Sequence, residues 1–442
     1  RRCRGRGGVD AAARARASPR GRRVNDRVSA VASRTFSAMR HRNYRLYFFS
    51  QAISFSGTWM QLIAQSWLVL ELTGSGTALG TVMAMQFLPT LLLAPVGGMI
   101  ADRMDKRKLI MVTQSVAGLL ALLLGVVTLT GTVELWMVYA IAAGFGAVTA
   151  VDNPSRQTFV MEMVGPEDVS NAVTLNSVVV NAARAVGPAI GGVLIASVGI
   201  GQCFIVNAVS YLAVVIALIL IRPSELHPSA RSARAPRQLR DGFHYAWNTK
   251  TLRTTLLMLV VIGTLTYEFS TTLPLFAEFT FGAGASGLAV MTSLMGAGAV
   301  VGGLVVASGG AATAHRLVVV AATFGVLVCA LSMMPVIAMV YMLLPFVGAA
   351  SVAMIALSNA TLQLNSDPQY RGRVMALFSM ALLGSTPIGG PIVGWVAEHG
   401  SPRLSLLIGG VAALAAAGYG WRNLERGDAD ALPDSVEPAL AR

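Results

Sequence analysis

Three ionisable side chains stand inside long apolar stretches, where a charge is costly and needs a reason. Glu268 lies in Thr266-Tyr267-Glu268-Phe269-Ser270, with Pro274 six residues on. A lone carboxylate in low dielectric can load and release a proton near neutral pH. That suits a proton-coupling or substrate-cation site; the other reading is a hydrogen-bonded carboxyl near a membrane interface. Arg184 sits mid-stretch, where arginine costs about 2.5–3.5 kcal/mol by insertion scales. It must face protein or water and find a partner. Asp152 is the first candidate, because a short connection joins the two stretches. Arg156, one turn from Asp152, would complete an Arg–Asp–Arg cluster. Such a cluster is either a structural ion pair or part of a substrate contact.

A second set is polar but uncharged. Gln51, Ser54, Thr58, Gln61 and Gln65 fall near one face of a helix and are expected to line a cavity suited to a moderately polar ligand. Trp59, Phe55 and Met60 beside them read as lipid-facing or core. Other chemistry lacks its signatures. There is no GxxxxGK[ST] for nucleotide phosphates, no HExxH and no G-x-S-x-G. Cys3, Cys203 and Cys329 share no metal-ligand spacing. No enzyme activity, metal or cofactor is expected.

The elements that must position these groups are membrane helices. Of 442 residues, 54% are hydrophobic and 12% charged, against about 25% charged in soluble proteins. Twelve apolar segments can be read, at 44–70, 77–101, 109–129, 135–157, 171–197, 201–221, 254–277, 285–307, 315–333, 335–357, 373–397 and 402–421. Gly187-Pro188-Ala189-Ile190-Gly191, followed by Gly192, is matched by Gly390-Pro391-Ile392-Val393-Gly394, 203 residues later. This repeat points to two related halves of six segments each, an arrangement typical of transporters with a path between the halves. Small residues let helices approach closely and proline bends them, so both motifs read as a pliable gate or as plain tight packing.

The expected fold class is an all-α membrane protein, its twelve transmembrane helices forming two six-helix bundles related by a pseudo-two-fold axis. Residues 1–40 read as a disordered basic arm and 41–221 as the first bundle. Residues 222–253, with seven Lys/Arg and three Pro, read as a basic linker carrying one amphipathic turn near Leu239–Trp247. The second bundle spans 254–422, and 423–442 read as a disordered acidic tail. Met39 reads as a plausible start, and no cleavable signal peptide is seen ahead of the first span.

The net charge of +13 is concentrated: residues 1–45 hold 14 Arg and two Asp. No aromatic residue precedes Phe36 for base stacking, so the arm argues for cytoplasmic retention and not for nucleic acid. Lys and Arg also alternate across the connections. Arg103, Lys106–Lys108, Arg156, the linker, Arg316, Arg371, Arg373 and Arg422 share the arm's side. Glu71, Glu134, Glu278 and Glu398, with Arg403, mark the other. The positive-inside rule puts both termini in the cytoplasm, as an even span count requires.

The run Gly98-Met99-Ile100-Ala101-Asp102-Arg103-Met104-Asp105-Lys106-Arg107-Lys108 resembles the loop 2–3 signature of the major facilitator superfamily. Asp105 stands where that family usually has Gly. Asp152-Asn153-Pro154-Ser155-Arg156-Gln157, the stretch Asn171–Ser177 and Arg371-Gly372-Arg373 resemble the branch holding the enterobactin exporter and related multidrug exporters. The first GPxxG resembles a fifth-helix antiporter motif. The resemblance implies export, a cavity between spans one, four, seven and ten, and a gate. In that gate Asp102 faces the start of span eleven when the cytoplasmic side closes, near Arg371 and Arg373. Gly98, Arg103, Arg107 and Arg156 belong to the same motifs.

The sequence therefore reads as a multi-pass cell-membrane exporter of a small amphipathic molecule, drug-like or a secreted metabolite such as a siderophore. It is expected to be driven by proton antiport and to act as a monomer. Its partners are substrate, protons and the bilayer. The reading from another class is a non-transporting receptor or scaffold, which would have a sealed apolar centre.

Overall fold

A computed structural model describes residues 37–227, 238–308 and 313–425. Among these residues the secondary structure is helical, and ten runs are long and apolar enough to cross a bilayer. One of the ten is 64 residues long and bends midway, so it makes two crossings; helix α1 (Arg42–Thr73) adds the twelfth. The remaining helices of the first bundle are α2 (Gly76–Arg103), α3 (Lys106–Leu129), α4 (Leu135–Val198) and α5 (Ile200–Leu220). After α6 (Gln238–Asn248), the second bundle holds α7 (Lys250–Leu265), α8 (Phe269–Leu275) and α9 (Gly284–Ser308). It continues with α10 (Ala314–Ser332), α11 (Ile337–Leu364), α12 (Arg371–Leu383), α13 (Thr386–His399) and α14 (Pro402–Gly420). Buried apolar clusters fill both bundles, and Leu275 and Ala397 of the second join a cluster of the first.

The expected loop at 158–170 is instead helix on both sides of Gly165. Gly165 has φ 71°, a left-handed conformation that other residues reach only at a cost. Pro166 follows it and can start a helix because its missing N–H needs no partner there. The turn into α3 is also settled without the family glycine: Asp105 Oδ1 accepts from Lys108 N–H at 3.0 Å, an N-cap.

Two spans read as continuous are broken. Span seven is interrupted between α7 and α8, and span eleven between α12 and α13 at Gly384–Ser385. The break expected at Met334–Pro335 falls between α10 and α11. Of the arm, residues 37–40 form a short 3₁₀ turn, with Ala38 N–H donating to Asn171 Oδ1 at 3.0 Å; residues 1–36 lie outside the described residues. So do 228–237 of the linker and 426–442 of the tail. The single amphipathic turn expected in the linker is an eleven-residue helix, α6, whose Tyr245 stacks on Tyr370 at 4.3 Å.

Candidate functional site

The bundles meet along two seams. α2 packs along α13 and α4 along α9, whereas α2 barely touches α12. The α2–α13 seam is made of backbone. A methyl added at Gly80 or Gly394 would run into the main chain of Gly390 or Gly76 on the facing helix. Gly192 meets Ala289 in the second seam, and Gly187 and Gly191 seat α4 on α1 at Ser56, Trp59 and Met60. These contacts close the end of the molecule that carries Glu71, Glu134 and Glu398. Past Leu91, against which Gly384 sits, α2 leaves its partner, and the basic end is splayed.

Between the bundles lies a cavity of about 250 Å³. The first bundle contributes Trp59, Phe87 and Arg184, and the second Tyr267, Glu268 and Thr292. Glu268 is 3% exposed and stands at the break in span seven. Thr266 N–H and Tyr267 N–H both donate to Ile262 O at 2.9 Å, which ends α7. Thr271 N–H and Thr272 N–H donate to Glu268 O at 3.0 and 2.9 Å, which starts α8. Pro274 then offers no N–H to the preceding turn. The result is a carboxylate at a helix N-terminus in mid-membrane, where irregular backbone is tolerated only against protein or a cavity. Glu268 Oε1 has no hydrogen-bond partner among the described residues. A methyl at Gly389 would come within 3.0 Å of it, so that glycine makes the room.

Arg184 departs from its expected pairing. Asp152 is taken: Arg156 Nε donates to Asp152 Oδ2, Thr113 Oγ1 donates to Oδ1 at 2.6 Å and Gln114 Nε2 at 3.1 Å. Arg156 and Asp152 share a helix face four residues apart and point into the first bundle, where Gln51 Oε1 also accepts from Arg156. Arg184 lies beyond the Gly165 bend and turns the other way. Its guanidinium stacks over Trp59 at 4.9 Å, it makes no ion pair among the described residues, and its Nε lacks a partner.

The polar stripe of α1 faces away from the cavity. Gln61 Oε1 accepts from Asn207 Nδ2 at 2.6 Å, Thr58 Oγ1 donates to Ser54 O at 2.9 Å, and Gln51, Ser54 and Gln65 are buried. The cavity face is Trp59, Leu62, Ile63 and Ser66, one residue and about 100° further round. Sequence reasoning missed Trp59; the signal was Arg184, a mid-membrane cation in search of an aromatic face. The gate residues of the loop 2–3 run, with Arg371 and Arg373, lie at the basic end. Arg107 donates to Leu218 O and Ile219 O at 2.6 and 3.1 Å. Arg371 Nε donates to Gln363 O at 3.1 Å, and Arg373 stands 3.8 Å from Asp241. Gly98, Asp102 and Arg103 end α2, and Pro188 lines the cavity while Pro391 lies inside α13.

A family model described as transmembrane secretion effector matches residues 33–439. The staphyloferrin A transporter of Staphylococcus aureus is 30% identical over 241 residues, or 53% of this chain and 59% of that relative's length. The multidrug efflux pump Tap of Mycolicibacterium fortuitum is 24% identical over 369 residues, covering 80% of this chain and 88% of its own. Among solved structures, a bacterial homolog of the human lysosomal transporter Spinster, inward-facing and unoccupied, superposes with TM-score 0.68 at 14% identity. It covers 89% of this chain and 98% of its own. The nucleoside transporter NupG gives 0.69 at 11%, over 86% and 98%. These two share the fold.

Proposed function

The chain belongs to the transmembrane secretion effectors of the major facilitator superfamily, and on that footing we propose that it exports a small amphipathic molecule from the cytoplasm in exchange for protons. The observation that carries this reading is Glu268: a buried carboxylate with a free oxygen, at a helix break, on the wall of the cavity between the bundles. One titratable group whose access switches sides is sufficient for coupling. A proton moving down 100 mV supplies about 2.3 kcal/mol, enough to hold a cargo gradient of roughly fiftyfold.

The positive-inside rule assigns the basic end, and with it both termini, to the cytoplasm. In this conformation the pathway is then open inward and sealed outward, ready to receive cargo. Arg184, stacked on Trp59 and without an ion pair among the described residues, favours cargo with an acidic group beside an apolar body. The two named relatives, a staphyloferrin A transporter and a multidrug pump, bracket a secreted metabolite such as a siderophore and a drug-like compound. A receptor or scaffold would be served by a dry centre, and the two charged groups in the cavity, Arg184 and Glu268, weigh against it. One chain encloses the whole path, so a monomer suffices.

The test is a susceptibility and secretion screen of a deletion strain to find the cargo, followed by purified protein in liposomes under an imposed proton gradient. Glu268→Gln is expected to keep cargo binding and lose proton-driven movement. Full proton-dependent export by that variant would remove the coupling role.

A further inference from the structure

The outer seal ends in a contact between the bundles that the gate motif at the basic end does not explain. Ser75 caps α2, its Oγ accepting from Ala78 N–H at 3.1 Å. Glu398, near the end of α13, reaches across and completes that cap. Its Oε2 accepts from Ser75 Oγ–H at 2.7 Å and from Thr77 N–H at 2.8 Å. A helix N-terminus carries unsatisfied N–H groups and partial positive charge, so a carboxylate there is held by charge and by geometry. This carboxylate comes from the opposite bundle. It can stay only while the two bundles are closed at this end.

We propose that Glu398 is the latch of the outer gate, a positioning residue that sets how often the pathway opens outward. The inference concerns the gate and not the cargo, and rests on the proposed export through a site whose access switches sides. α2 and α13 run antiparallel, and each carries a carboxylate near its own C-terminal end: Asp102 on α2 and Glu398 on α13. At the outer end the α13 carboxylate grips the start of α2. At the basic end Asp102 is the group expected to grip the start of span eleven. The same pair of helices thus holds a latch at either end, and rocking one bundle against the other engages one as it frees the other. The glycine crossings Gly76–Gly394 and Gly80–Gly390 bring the backbones close enough for Glu398 to reach.

The experiment uses the full chain in liposomes, with its cysteines replaced by serine and spin labels at Thr132→Cys and Ser286→Cys, exposed positions at the outer ends of opposite bundles. Pulsed electron resonance reads the populations of short and long distances. The unmodified latch should give mostly the short distance. Glu398→Ala should raise the ratio of long to short about tenfold, the scale of losing a charged cap, and Glu398→Gln by less. Ser75→Ala, approached from the other bundle, should shift it the same way, and the double variant should add little beyond Glu398→Ala. An unchanged distribution in both single variants, with melting temperatures intact, would overturn the latch. A failure of the export reading registers separately, as no proton-driven cargo movement whatever the distances do.

Discussion

Asp152 and Arg184 were both charges in search of partners, and the structure treats them oppositely. Asp152 is 6% exposed and held by Arg156, Thr113 and Gln114, so removing it strands a buried guanidinium. Asp152→Ala should cost about 3–5 kcal/mol, read as a fall in melting temperature in detergent. Arg184 has no ion pair among the described residues to lose. Arg184→Ala should leave the melting temperature nearly unchanged while raising the half-saturating cargo concentration about tenfold or more. Arg184→Lys should recover only part, because lysine lacks the flat guanidinium that stacks on Trp59. If instead Arg184→Ala melted early and bound normally, its role would be structural.

The helices were largely readable from composition and charge, because a bilayer demands about twenty apolar residues per crossing and Lys and Arg mark one side. Their interruptions were not. The break at Glu268 depends on where Thr266 Oγ1 finds Gly409 O, at 2.7 Å on α14, a partner 143 residues away. The stripe Gln51–Gln65 takes its direction from Asn207, Tyr211 and Arg156 on other helices, which spacing within α1 cannot reveal. Gly165 was hidden because polar residues continue a helix outside the membrane as readily as they form a loop. Its conformation makes a prediction: Gly165→Ala should cost about 1–2 kcal/mol, seen in thermal unfolding. Gly80→Leu tests a different property. Its side chain would collide with the Gly390 main chain, so the bundles should still form while the outer seam stays propped, and externally added thiol reagents should reach labels placed in the cavity.

On the proposed rocking motion, one end of the molecule closes at a time. Asp102→Asn should therefore act in the opposite sense to Glu398→Ala, raising the population open at the basic end and slowing turnover; equal shifts in the same direction would contradict a rocking motion. The outer seam has a broader consequence. Main chain presses on main chain there, so the outer seal rests on the facing glycines and on the Glu398 contact at their end. The walls that meet the cargo, at Trp59, Phe87, Tyr267 and Thr292, lie elsewhere on the helices. If the chain exports as proposed, its descendants are free to exchange one cargo for another by altering those walls, generation after generation, while keeping the membrane tight.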